Sequence, residues 1–303
     1  MSVEPVLIET SAGAVGAVLT LPASPPRAAA VILPGAGGST RSGLDQMFAR
    51  LASSLAGIGV SSIRFDYPGS GESHLCRLSR WAEGSAEAID WFQQDCGARP
   101  LLLVAECGGL LQAHREVMSG RDVLAVGLFL PPFQYGSYPL PFPLVRRLRG
   151  LAGRIKRLPG HWLLRVRYGP SDPKFSTMWP RGAYRAMARS EAMLVELSER
   201  VPLWVLSADA DPSTRVLERL QDQLAAGIGY ELEVLPSGSP VGSSPPGAAE
   251  IVRATTAWAA GRLDRAGESR VPLAECLAPA TTGSGEARER LAGRGHPINH
   301  ETR

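Results

Sequence analysis

No uncharged apolar run in this chain approaches the roughly 18–20 residues that cross a bilayer. The opening residues, Met1 to Thr10, hold no basic stretch leading into an apolar one. Neither a membrane span nor a secretory leader is therefore expected. Cysteine is sparse: Cys76, Cys96, Cys107 and Cys276 stand too far apart for a zinc-ligand pattern, and nothing argues for export. Reduced thiols in a cytoplasmic protein are the expectation. No metal and no cofactor is expected. Lysine is almost missing, with two residues in the whole chain, so its positive charge is carried by arginine.

What is present describes an ordinary globular protein. At 303 residues, 44% of them hydrophobic and 20% charged, one large α/β domain fits better than two small ones. The net charge of +3 is unevenly spread: twelve Arg or Lys and a single acid, Asp172, lie between Leu144 and Arg189. The remainder is net acidic. Two readings fit this segment, a basic patch facing an anionic partner, substrate or membrane surface, and a solvated surface in an arginine-rich chain.

Val3 to Ile8 and Val15 to Leu21 have the pattern of a hairpin with Gly13 in its turn. Ala28 to Leu33 is a buried strand broken at once by Pro34-Gly35-Ala36-Gly37-Gly38-Ser39. Helical spacing follows at Leu44, Met47, Phe48, Leu51 and Leu55. Strands are expected at Val60 to Phe65, Leu101 to Val104, Val123 to Leu130, Pro202 to Ser207 and Tyr230 to Leu235. Helices are expected at Ala82 to Gln93, Tyr184 to Glu199, Thr214 to Ala226 and Ala248 to Leu263. The alternation predicts a mostly parallel central sheet covered by helices on both faces. Residues 1–132 and 190–263 form the core in this reading. Residues 133–189, rich in proline, aromatics and arginine, are an insertion expected to act as a cap or lid. Residues 264–303, polar and glycine-rich, are expected to be a loosely held tail.

Three motifs carry the chemistry. Arg64-Phe65-Asp66-Tyr67-Pro68-Gly69-Ser70-Gly71-Glu72-Ser73 follows a strand, Leu33-Pro34-Gly35-Ala36-Gly37-Gly38 another, and Ala105-Glu106-Cys107-Gly108-Gly109 a third. By the order and spacing of these motifs along the chain, it resembles the α/β-hydrolase family from roughly Val3 to Leu263. The first motif is similar to the family's D-x-R-G-x-G-x-S loop, with Pro68 where arginine is usual. The second is similar to the loop that lends an oxyanion N–H, with Pro34 in place of a frequent histidine. The third matches the nucleophile elbow G-x-S-x-G, with alanine first and cysteine for serine.

The resemblance implies roles. The elbow's tip is strained, so its neighbours must be small, which Ala105, Gly108 and Gly109 satisfy. Cys107 becomes the nucleophile, since a helix N-terminus favours the thiolate; an ordinary buried cysteine is the alternative. The N–H of Gly108 and one from Ala36 or Gly37 would form the oxyanion hole. Val205-Leu206-Ser207-Ala208-Asp209-Ala210-Asp211-Pro212 is similar to the family's G-x-x-D-P segment, which makes Asp211 the triad acid and Asp209 its neighbour. The alternative for Asp211 is a turn former before proline.

The base is where the match fails. The family's histidine follows the last strand, and here that place holds Pro236-Ser237-Gly238-Ser239-Pro240-Val241-Gly242. No histidine falls between His161 and His296. Replacements to weigh are His74, His161, Glu106 as a carboxylate base, and the tail residues His296 and His300; His114 has a structural position. Without a base, ordinary ester hydrolysis is expected to be poor.

The resemblance and this gap together imply a cysteine-dependent acyl-transfer enzyme, thioesterase-like or acyltransferase, on a small-molecule acyl thioester. The basic segment would dock CoA or an acidic acyl carrier protein. The alternative is a non-hydrolytic protein of the same fold, an elimination or cyclisation enzyme or a ligand-binding protein. No nucleic-acid motif is present, and the aromatics among the arginines suit an acyl pocket equally well.

Overall fold

Strand β3 (Ala28–Leu33) shows why the molecule is layered: all six side chains are buried. Ala29, Val31 and Leu33 enter one apolar cluster and Ala28, Ala30 and Ile32 another. A strand with period two and both faces buried belongs inside a sheet covered on both sides. Each Val, Ile or Leu placed this way contributes about 1.5–3 kcal/mol. The structure is a computed structural model that describes residues 1–35, 40–73, 81–96, 100–131, 189–209, 211–236 and 245–269.

Eight strands form one sheet. They are β1 (Ser2–Ile8), β2 (Val15–Leu21), β3, β4 (Val60–Phe65), β5 (Leu101–Glu106), β6 (Ala125–Phe129), β7 (Leu203–Ala208) and β8 (Tyr230–Leu235). Their order is β1-β2-β4-β3-β5-β6-β7-β8. β2 pairs antiparallel with β1 and β4, and every other pairing is parallel. The mostly parallel sheet expected from the sequence is present. The hairpin turns as expected, with Gly13 at φ 110° and its N–H donated to Thr10 O at 3.0 Å.

Connection chirality fixes the faces. From β3 the chain moves one way through α1 (Met47–Gly57) to β4, then back across β3 through α2 (Trp81–Cys96) to β5. Right-handed crossovers in opposite directions must use opposite faces. Met47, Phe48, Leu51 and Leu55 of α1 accordingly fill one cluster, and Ala88, Ile89 and Phe92 of α2 the other. α3 (Leu110–Met118), α4 (Ser190–Ser198) and α5 (Pro212–Ala225) join α2, whereas α6 (Pro245–Ser269) joins α1.

Several helix ends differ from expectation: α2 runs to Cys96 rather than Gln93, and α4 starts at Ser190, with Arg189 as its N-cap, rather than at Tyr184. α1 starts at Met47, not Leu44, because Gly43, Asp45 and Gln46 all have positive φ and the chain turns there; Leu44 is left exposed. α6 begins three residues before Ala248 and runs six beyond Leu263. The chain divides into two units, Met1–Leu263 and Asp264–Arg303. Residues 132–188, which hold almost all of the expected cap, and 270–303 of the expected tail lie outside the described residues. No described helix is long and apolar enough to cross a membrane.

On the α6 side, the Trp204 and Trp258 rings stack at 5.3 Å and 14°. Gly127 of β6 makes room for them: a Cβ there would lie 2.8 Å from the Trp258 ring. That ring cannot swing aside without unstacking. Gly127→Ala is therefore expected to cost about 1–3 kcal/mol, the usual range for overpacking, measured as a lowered urea midpoint with unchanged slope.

Candidate active site

In an open α/β sheet, ligands bind at the carboxyl ends of the strands where the strand order reverses. Here the reversal lies between β3 and β5, which are neighbours in the sheet while the chain departs from them in opposite directions. The residues at these two ends are Pro34-Gly35 and Glu106-Cys107. The second and third sequence motifs thus end at these two neighbouring strand ends.

β5 stops at Glu106, Cys107–Gly109 make one tight turn, and α3 begins at Leu110. Cys107 sits at φ 44°, in the left-handed region. For a residue with a Cβ this costs roughly 1–2 kcal/mol and persists only where the surroundings impose it. The imposition is visible. Gly108 and Gly109 are buried, and a Cβ on Gly109 would lie 2.6 Å from Leu33 O and 3.1 Å from Pro34 O. The half-buried Cys107 thiol is thereby held at the tip of the turn. At the end of the next strand, Leu130 is also left-handed, at φ 56°.

Glu106 reaches toward β3. Its Oε2 accepts the N–H of Gly35 at 2.8 Å, and a Cβ on Gly35 would lie 2.7 Å from that oxygen, so that the carboxylate would have to move. Gly108 is at the head of the helical turn, where N–H groups lack partners within the helix. The other expected oxyanion donors, Ala36 and Gly37, lie outside the described residues.

The loop after β4 is built around Asp66, which is fully buried. Its carboxylate accepts the backbone N–H of Arg41 at 2.7 Å, the Arg41 guanidinium, and the N–H of Glu72 at 3.1 Å. Gly71, at φ 53°, must be glycine, since a Cβ would fall 2.2 Å from Asp66 Oδ2. Ser73 Oγ donates to Asp66 O at 2.7 Å and accepts from Gly16 N–H at 2.9 Å. Pro68 stands where the motif has arginine, and the guanidinium beside Asp66 is that of Arg41. No local pattern announced that partner.

Asp211 and Asp209 leave the end of β7, two strands from Cys107 on the same edge of the sheet. Asp209 is exposed, and Asp211 is half-buried and caps α5, its Oδ1 accepting from Ser213 N–H at 2.8 Å. Among the described residues the one histidine is His114, on α3, whose Nε2 lies 2.6 Å from Glu196 Oε2 on α4. His74, His161, His296 and His300 lie outside the described residues, as does most of the segment after β8 where the family's histidine would stand. No group of three metal-ligating side chains occurs among the described residues.

Tyr67, just past β4, packs edge-on against Phe65 at 5.8 Å and Trp81 at 5.3 Å. Its hydroxyl is buried with no hydrogen-bond partner among the described residues. Burial, then the charges of Glu106 and Glu116, push its phenol far above the usual tyrosine range. A raised value in the fold means that neutral Tyr67 favours folding below about pH 10, and that this contribution is lost as pH rises further. Tyr67→Phe is expected to leave the tyrosinate absorbance step of the folded protein up to about pH 12 unchanged, while slowing alkaline unfolding. A smaller step in the variant would show that Tyr67 ionises in the fold.

No family model matches the chain, and no curated protein matches its sequence. Solved structures do. A highly thermostable carboxyl esterase from Bacillus coagulans superposes with a TM-score of 0.61 at 13% identity, over 87% of this chain and 99% of its own. A lipase in an open form gives 0.60 at 16% identity, over 89% and 100%. A proline iminopeptidase from Mycobacterium smegmatis gives 0.58 at 13% identity, over 87% and 100%. At these identities the likeness is one of fold.

Proposed function

We propose that this chain, whose fold is the α/β-hydrolase fold, is a cysteine-dependent acyl-transfer enzyme acting on an acyl thioester, with CoA or a carrier protein as the thiol carrier. The observation that carries this reading is the left-handed backbone of Cys107 at the strand-order reversal, φ 44° on a residue with a Cβ.

The chemistry follows from the groups at hand. Cys107 loses its proton to solvent, and the thiolate attacks the thioester carbonyl. The oxyanion takes hydrogen bonds from Gly108 N–H and from Ala36 or Gly37. Collapse expels the carrier's thiolate, which leaves without needing a proton, and the acyl group remains on Cys107. An acceptor thiol reverses the step and completes a transfer; water does so poorly without a base. A thiolate nucleophile and a thiolate leaving group thus make an exchange that tolerates the missing histidine, as ester hydrolysis does not. The arginines between Leu144 and Arg189 supply charge for the carrier's phosphates or acidic surface.

A second reading, an elimination or cyclisation enzyme or a ligand-binding protein, is favoured by one observation: the Asp211 carboxylate is engaged in capping α5. Intact mass after incubation with a panel of acyl thioesters separates the two. A stable acyl increment on Cys107, released by an added thiol, supports acyl transfer. No increment with any thioester, alongside saturable binding of the same compounds, supports the second reading.

A further inference from the structure

We infer that Glu106 is a positioning residue: its carboxylate holds the end of β3 and Pro34-Gly35 against the elbow, and it is not the base of the reaction. The inference rests on the acyl-transfer reading for its consequence, though the geometry that motivates it does not depend on a substrate.

The loop after β3 is gripped from two sides by the elbow itself. On one side Glu106 Oε2 takes the Gly35 N–H at 2.8 Å. On the other, Gly109 offers a bare Cα, its Cβ position 2.6 Å from Leu33 O and 3.1 Å from Pro34 O. The residues immediately before and two after Cys107 therefore hold the same short stretch, Leu33 to Gly35. Gly35 is buried, so its N–H requires an acceptor, and β3 has ended before it. The acceptor is supplied from 71 positions away.

Strand alternation places Glu106 on the face of β5 that also carries Leu102 and Val104, toward α1, where the loop must return. Once tied to this carboxylate, the Gly35 N–H does not serve an oxyanion. The residue that this bond holds stands directly before Ala36 and Gly37 in the sequence, the two positions that the resemblance implies as the second donor. Misplacing such a donor by a fraction of a bond length is what positioning residues prevent.

The test compares Glu106→Ala, which loses the acceptor, with Glu106→Gln, whose amide oxygen keeps it and loses only the charge. Should the alanine variant fail to fold, Glu106→Met, of similar volume and without an acceptor, takes its place. Two quantities are followed, hydrogen exchange of the peptide covering residues 33–40 without substrate, and the rate of Cys107 acylation by a thioester. The alanine or methionine variant is expected to exchange that peptide and to acylate with changes of about tenfold or more, faster and slower respectively. The glutamine variant is expected to restore native exchange and most of the acylation rate. The proposal is overturned if E106Q is as slow as E106A while its loop exchanges like the native one, which would make the carboxylate a base. It is equally overturned if E106A leaves exchange unchanged. If the native protein is not acylated by any thioester, the acyl-transfer reading fails, and the exchange pattern alone still decides the positioning role.

Discussion

Cys107→Ala removes covalent capture of an acyl group: the acyl mass increment seen on the native protein is absent, and thioester consumption falls by about a thousandfold or more. The more informative partner is Cys107→Ser, which is expected to be as inert as alanine. Serine can occupy the same strained turn and is the usual residue of such elbows, so geometry does not distinguish it. Ionisation does. A thiol is a few per cent thiolate at neutral pH on its own, whereas a hydroxyl becomes a nucleophile only when a base takes its proton. A serine variant that still accepts an acyl group would mean that a base reaches position 107, and would redirect attention to His74 and His161. Iodoacetamide labelling at neutral pH gives the independent check, with Cys107 expected to react faster than in the denatured chain.

The second large effect is structural. Asp66→Ala is expected to cost about 3–5 kcal/mol, read as a fall in the urea midpoint. The carboxylate is completely buried and takes three donors, two of them from Arg41. Arg64 lies close by, donating to Arg41 O at 3.1 Å, and burial together with the charge of Arg41 already lowers its affinity for a proton. Removing Asp66 leaves two guanidinium groups sharing a site with, among the described residues, the exposed Glu72 to offset them. Asp66→Asn keeps an acceptor and is expected to lose less. A change in the alanine variant of under about 0.5 kcal/mol, the scale of an ordinary surface substitution, would show that the network contributes nothing.

Local signals made much of the fold legible before any coordinates. The bounds of β2, β3, β4 and β8 follow from short runs, apolar in β2 and β3 and mixed or alternating in β4 and β8, closed by turn residues. The turn at Cys107 was marked by its small neighbours. The start of α1 was not legible, because Leu44 fits the helical period while Asp45 and Gln46 take positive φ after Gly43, whose Cβ position lies 2.8 Å from the Phe48 ring. The supports of the site were hidden for a different reason. Arg41 joins Asp66 across 25 positions, and Gly35 joins Glu106 across 71. No window of sequence reveals a partner that only the sheet order brings near.

That last separation has a consequence for how the protein comes into being. The parallel pairing of β3 with β5, from Ala29 opposite Leu101 to Leu33 opposite Ala105, closes a loop that contains α1, β4 and α2. Loop closure over such a length is paid for in chain entropy before any contact repays it, so these two strand ends meet late. Until they do, nothing forces Cys107 out of the ordinary backbone regions. On a refolding timescale the thiol is therefore a clock: pulse alkylation should find its native reactivity appearing only with the final cooperative phase, after the helices have formed.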